Sequence, residues 1–146
     1  MLKRVFIIVA TSAIGLAVAH PALAATITGT SGPDNLIGTP KADTIRGLGG
    51  SDRILGRGGA DLLYGNTGAD QVSGDGGADM IWGGKGPDTI WAGRGADTVF
   101  GGMGNDAIFA ADGISGNDTV NGGPGRDTCI IDKGDTATNC ENVITR

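Results

Sequence analysis

The chain is predicted to be an all-β protein, a right-handed parallel β-roll (β-solenoid) of nine-residue repeats with two repeats per coil. Three observations predict this. Asp recurs at Asp34, Asp43, Asp52, Asp61, Asp70, Asp79, Asp88, Asp97 and Asp106, each nine residues after the last. An apolar residue stands two places after each Asp, in the series Leu36, Ile45, Ile54, Leu63, Val72, Ile81, Ile90, Val99 and Ile108. Glycine, at 29 of 146 residues, opens almost every unit and recurs two residues before the Asp. A fixed period of this kind marks an architecture in which each unit covers the apolar face of its neighbour.

Each unit divides into a turn and a strand. The first six residues are rich in Gly, which tolerates φ > 0 where the chain must reverse. The next three form a short strand, in which neighbours point to opposite faces. The central Ile, Val or Leu therefore points inward. One unit reverses the chain once, so two units make a coil of eighteen residues. Coils stack at about 4.8 Å. The core is then a thin aliphatic ladder, which suits a chain with only six aromatic residues. Beyond residue 24 every aromatic falls at the last, outward place of a unit: Tyr64, Trp82, Trp91, Phe100 and Phe109. Tyr64, Trp82 and Phe100 should stack on one face. Trp91 and Phe109 should lie on the other, in a column with Ile37 and Leu55.

The ends of the series are less regular. Thr26-Ile27-Thr28 reads as a first strand without an acidic turn. The step from Asp106 to Asp118 is twelve, and the step to Asp127 is nine again. The unit Ala110–Asn121 thus holds three extra residues. A bulged turn is predicted there, with Asp118 displaced or Asp112 competing. Residues 25–130 make the roll, eleven units from Gly29, and 131–146 read as the C-terminal cap that solenoids need.

Residues 1–24 read as a secretory signal peptide. Lys3 and Arg4 form a basic start, Val5–Ala19 is a 15-residue apolar stretch, and Ala22-Leu23-Ala24 is a small-x-small cleavage site. Removing Lys3 and Arg4 takes the formal charge from −5 to −7. An acidic surface argues against nucleic acid and anionic membranes and in favour of cations. After cleavage no apolar stretch is long enough to span a membrane. The predicted location is outside the cell, in a periplasm or at a cell surface. An oxidising compartment and an even cysteine count predict a Cys129–Cys140 disulfide stapling the last coil, worth about 3 kcal/mol at most.

The full form of the repeat is seen in Gly83-Gly84-Lys85-Gly86-Pro87-Asp88-Thr89-Ile90-Trp91 and Gly101-Gly102-Met103-Gly104-Asn105-Asp106-Ala107-Ile108-Phe109. These units resemble the repeats-in-toxin (hemolysin-type) calcium-binding nonapeptide, and the resemblance covers Gly29 to Ile130. It implies that each calcium ion lies between successive turns on one side of the roll, taking backbone carbonyls and one Asp from each of two units eighteen residues apart. One row of candidate ligands is then Asp34, Asp52, Asp70, Asp88, Asp106 and Asp127. The other is Asp43, Asp61, Asp79, Asp97 and Asp118. Adjacent pairs set a ceiling of nine sites. Lys41 and Pro40 should weaken the 43/61 site, and the insertion should disturb 97/118 and 106/127. Asp75, Asp112, Asp132 and Asp135 are out of register and read as solvated surface.

Chemistry supports the same ion. Calcium prefers six to eight oxygen ligands. Carboxylates about 5 Å apart repel by roughly 3 kcal/mol per pair at an effective dielectric of 20, so a long row needs a cation. Turn-forming Asp without metal leaves that repulsion unanswered. Zinc and copper are disfavoured because the single His, His20, lies in the leader. Folding is expected to be coupled to calcium.

The predicted function is a secreted calcium-binding roll acting as a structural or interaction module, with no catalytic residues. A partner protein or a glycan is a second use of the aromatic stripes. An enzyme is disfavoured, since Glu141 is the only Glu and no nucleophile has a base at a recognisable spacing. An ice-binding or adhesive solenoid is the third class, suggested by Thr44, Thr89, Thr98, Thr119 and Thr128 at one outward position. A non-catalytic partner of an extracellular enzyme or toxin fits the same features. The N-terminal leader departs from the family's toxins, which carry a C-terminal export signal.

Overall fold

A computed structural model describes residues 6–9, 16–18, 23–114 and 116–146. Most of the predicted leader, including Lys3, Arg4 and His20, lies outside the described residues. Among the described residues sixteen strands fall into two eight-stranded sheets. The first sheet holds β1 (Phe6–Val9), β3 (Ala25–Thr28), β5 (Thr44–Gly49), β7 (Leu62–Thr67), β9 (Met80–Lys85), β11 (Thr98–Met103), β13 (Thr119–Asn121) and β15 (Thr136–Thr138). The second holds β2 (Leu16–Val18), β4 (Asn35–Ile37), β6 (Arg53–Gly58), β8 (Gln71–Gly76), β10 (Thr89–Trp91), β12 (Ala107–Phe109), β14 (Thr128–Ile131) and β16 (Asn142–Thr145). Every pairing is parallel, and through the regular region each residue lies beside the one eighteen further on, as in Ile45 beside Leu63 and Leu63 beside Ile81. The chain therefore alternates between the sheets and makes one coil per two units, as its period predicts. Several strands run six residues rather than three, because the parallel ladder continues into the turn at pairs such as Leu48 with Asn66 and Asn66 with Gly84.

The core is the inward column of each sheet. Ile27, Ile45, Leu63, Ile81, Val99 and Val120 face Leu36, Ile54, Val72, Ile90, Ile108 and Cys129, and all are fully buried. Burying one such side chain contributes about 1.5–3 kcal/mol. The contributions are passed from coil to coil, since each side chain packs mainly on its neighbours in the stack. Ile81→Ala in the central coil is expected to lower stability by about 2–5 kcal/mol. Thermal unfolding in saturating calcium measures this, and an unchanged midpoint would show that the ladder is not the core.

The insertion does not break the stack. β11 pairs with β13 with Val99 beside Val120, and β12 pairs with β14 with Ile108 beside Cys129. The three extra residues are absorbed in the turn before Asp118, so the register resumes after twenty-one residues. Nor does the pattern end at Ile130. β15 pairs with β13, and β16 pairs with β14, so residues 131–146 add a further coil with shortened turns.

The aromatics stack as predicted. Tyr64 and Trp82 lie 4.6 Å apart, Trp82 and Phe100 5.7 Å, and Trp91 and Phe109 5.8 Å, all nearly parallel. Arg46 caps the first column over the Tyr64 ring at 5.0 Å, a cation–π contact of about 0.5–1 kcal/mol at an exposed site. Among the described residues no helix is long and apolar enough to cross a membrane.

Candidate metal centre

Each turn delivers its Asp to the edge of the core. All eleven repeat aspartates, Asp34 to Asp127, are at most 5% exposed. They form the two predicted rows through one repeated hydrogen bond. The backbone N–H of each Asp donates to Oδ1 of the next Asp in its row, as Asp52 to Asp70, Asp70 to Asp88 and Asp61 to Asp79, at 2.8–2.9 Å. Asp97 donates to Asp118 and Asp106 to Asp127 in the same way, both at 2.8 Å. The expected disturbance of the 97/118 and 106/127 pairs is therefore corrected. The insertion loop carries its extra residues outward and leaves Asp118 in line.

The second oxygen has a different fate. Oδ2 of Asp52, Asp61, Asp70, Asp79, Asp88, Asp97, Asp106, Asp118 and Asp127 is buried and accepts no hydrogen bond. A buried carboxylate oxygen with no donor is costly, because its charge has lost water and gained nothing. Burial accordingly pushes the carboxyls of Asp52 and Asp79 up to about 6 and those of Asp61, Asp88 and Asp118 up to about 7. Asp70, Asp97 and Asp106 are raised for the same first cause. The backbone N–H that each accepts opposes the rise, and in most of them a neighbouring carboxylate adds to it.

Backbone carbonyls meet these oxygens. A Cβ placed on Gly65 would stand 2.5 Å from both Asp70 Oδ2 and the Gly83 carbonyl oxygen of the next coil. On Gly83 it would stand 2.5 Å from Asp88 Oδ2 and the Gly101 carbonyl. Two oxygens from successive coils thus converge on a space that these glycines leave open. This donor set, one carboxylate oxygen and main-chain carbonyls without nitrogen or sulfur, suits a hard cation. Among the described residues no cluster of three or more His, Cys, Asp or Glu side chains forms, so a site built from side chains alone is not what the turns offer.

The rows differ in ways that the spacing did not show. Asp34 and Asp43 are tied up at the N-terminal end. The Thr30 N–H donates to Asp34 Oδ2 at 2.5 Å, and the Thr30 hydroxyl donates to the same oxygen. The Thr39 N–H donates to Asp43 Oδ2 at 2.5 Å, and its hydroxyl to Oδ1. Hydrogen bonds from Thr39, rather than Lys41 or Pro40, are thus what set Asp43 apart from the other members of its row, and those from Thr30 set Asp34 apart in the same way. The place taken by Gly65 and Gly83 is Ala92 before Asp97 and Ala110 in the inserted unit before Asp118, both buried. Their methyl groups narrow those two turns.

The four aspartates that stand out of register are not all solvated surface. Asp75 is exposed, with the Ser73 hydroxyl donating to it. The other three are corrected. Asp112 accepts the N–H of Gly95 and of Ile114. Asp132 is buried and accepts the Gly113 N–H. Asp135 accepts from Asp118, Asn117 and Asp132, and so stands as the next member of the second row. These carboxylates hold the insertion loop and the last coil, a role that the break in spacing conceals. Cys129 and Cys140 are joined in the predicted disulfide.

Fold and turns together define a parallel β-roll with stacked acidic, carbonyl-lined turns. Comparison with protein families matches the chain to the RTX calcium-binding nonapeptide repeat in overlapping stretches from residue 28 to residue 129. The chain belongs to this family, whose repeats bind calcium. No curated protein matches it.

Proposed function

We propose that the protein is exported and that calcium locks its roll into a structural or interaction module. The observation that carries this reading is the row of buried Oδ2 atoms without donors, seven of which (all but those of Asp97 and Asp118) lie beside a carbonyl of the next coil. Seven pairs of such aspartates are neighbours inside the rows, 52/70, 70/88, 88/106, 106/127, 61/79, 79/97 and 97/118, and in all but the last the first member's Oδ2 meets a carbonyl of the next coil. Calorimetric titration should count at least this many ions per chain, with affinities in roughly the 10⁻⁴ to 10⁻³ M range of extracellular modules. Binding of one or two ions would sink the reading.

Export is supported by the leader's composition and by what cleavage after Ala24 leaves behind. The Ala25 nitrogen lies 2.6 Å from Asp43 Oδ1, and Ala25 is buried. In the cleaved chain that nitrogen is an ammonium group, which would neutralise the first carboxylate of the second row. Mass spectrometry of the protein from culture medium or periplasm tests this. A mature chain starting anywhere but Ala25 would count against it.

A glycan ligand is favoured by one gap on the second sheet. Ser73 stands in the outward column between Leu55 and Trp91. It leaves a pocket of ≈ 310 Å³ lined by Arg53, Leu55, Gln71, Ser73, Asp75 and Trp91. An aromatic face beside hydrogen-bonding groups suits a sugar ring, and the volume is at the small end for ligand pockets. Titration with oligosaccharides, followed by Trp fluorescence and repeated on Trp91→Ala, checks it. The ice-binding reading has less support, because its Thr residues divide between sheets: Thr44, Thr98 and Thr119 on the first, Thr89 and Thr128 on the second. Leu62 and Met80 interrupt the first group.

A further inference from the structure

We propose that the first row has a calcium position beyond its last repeat aspartate, formed by Asp127 with Glu141, and that the Cys129–Cys140 disulfide holds Glu141 in it. The proposal rests on the calcium reading of the rows.

Strand register identifies Glu141 as the missing member. β16 pairs with β14 so that Asn142 lies beside Thr128 and Val143 beside Cys129. Glu141 precedes Asn142 as Asp127 precedes Thr128. The Asp127 N–H donates to Glu141 Oε2 at 2.7 Å, the bond that Asp106 makes to Asp127 Oδ1 at 2.8 Å. Asp127 is 1% exposed, and its Oδ2 accepts no hydrogen bond. The carbonyl partner is present as well. A Cβ on Gly122 would meet Asp127 Oδ2 at 2.7 Å and would also meet the Asn139 carbonyl oxygen. Asn139 follows β15 as Gly122 follows β13.

The turn reaches this geometry by a different route. Gly122 to Asp127 is five residues, whereas Asn139 to Glu141 is two. Asn139 takes φ 50°, a left-handed conformation that turns the chain within that short span. The shortened backbone leaves the side chain to cover the remaining distance, and Glu has one methylene more than Asp. Between these two residues sits Cys140, bonded to Cys129 in the fully buried inward column. The disulfide thus fastens a two-step turn to the core one residue from the proposed ligand. Asn105, Arg126, Asp127, Thr128, Glu141 and Asn142 line an open pocket of ≈ 500 Å³ here. Arg126 is the one cation in that lining and is exposed, so this position should fill after the interior ones.

Calorimetric ion counting on the full chain tests the proposal. Glu141→Gln keeps an oxygen that can accept the Asp127 N–H but removes the charge. It should bind one ion fewer than the parent, with the other affinities unchanged. Glu141→Asp, too short to span the gap, should lose the same ion. Reducing the disulfide under saturating calcium should also release that ion, and reduction of the Glu141→Gln protein should release none further. An unchanged count in Glu141→Gln overturns the ligand role and leaves a plain hydrogen-bonded cap. An unchanged count on reduction overturns the role of the disulfide. Collapse of the whole roll in Glu141→Gln would also overturn the assignment, because a terminal site supports only the last coil. A parent chain that binds no calcium would instead sink the underlying reading.

Discussion

Stripping calcium from the folded protein is expected to abolish the β-sheet signal in the far-ultraviolet circular dichroism spectrum, and millimolar calcium is expected to restore it. The cause is the imbalance inside each unit. Nine residues are ordered for one buried aliphatic side chain, such as Ile81 or Ile90, and ordering a chain is the largest cost in folding. Against this thin ladder stand nine buried Oδ2 atoms without donors. Stacked in rows, the ionised carboxylates also repel their neighbours. A divalent ion reverses both effects, since it supplies the missing partner and joins two coils. The binding free energy then becomes folding free energy. The oxidised disulfide should not rescue the roll, because it ties only Cys140 to Cys129, eleven residues apart, at one end. Retention of the full spectrum in chelator would show that the stack holds itself.

Much of this was legible in the chain before its structure. The nine-residue period dictated the inward column, the two rows and the aromatic stacks, because all three follow from where a residue stands in a unit. What the spacing could not show is how a turn spends its side-chain oxygens. Thr30 and Thr39 occupy places where other turns have Gly or a left-handed residue such as Asn66 or Asp75. Their hydroxyls and N–H groups engage Oδ2 of Asp34 and both carboxylate oxygens of Asp43, which by spacing alone are full members of the rows. At the other end Glu141 and Asp135 continue the rows at spacings of fourteen and seventeen from Asp127 and Asp118. A period of nine cannot find them, since the turns that present them are shorter. The insertion misled in the opposite direction. Three extra residues suggested a broken rung, yet parallel pairing on both sides fixes Asp118 whatever the loop between does.

Acid should substitute for calcium, in part. The repeat carboxyls rise from 3.8 to about 6 in Asp52 and Asp79 and to about 7 in Asp61, Asp88 and Asp118 when the roll forms without metal. Burial is the main cause, so the folded state holds protons that the unfolded chain has released. Between about pH 4 and pH 7 the folded chain therefore binds more protons, and its stability without calcium falls as pH rises through that window. The contribution is fully present below about pH 4 and lost above about pH 7. Calcium-free protein, prepared by exhaustive dialysis, should show more β-sheet signal at about pH 4 than at neutral pH. With calcium present the sign reverses, because protons and the ion compete for the same Oδ2 atoms. Moving from about pH 7.5 to about pH 5.5 should weaken binding by at most about four-fold for each carboxyl at about 6 and about 25-fold for each at about 7, a limit reached where the calcium-free roll is folded, since the unfolded chain's carboxyls have lost their protons at both pH values. Calorimetric titrations at the two pH values measure this. Affinity that holds constant across them, in protein that keeps its β-sheet signal without calcium at about pH 5.5, would mean that the carboxylates of the rows do not carry the ion, and that the carbonyls alone suffice.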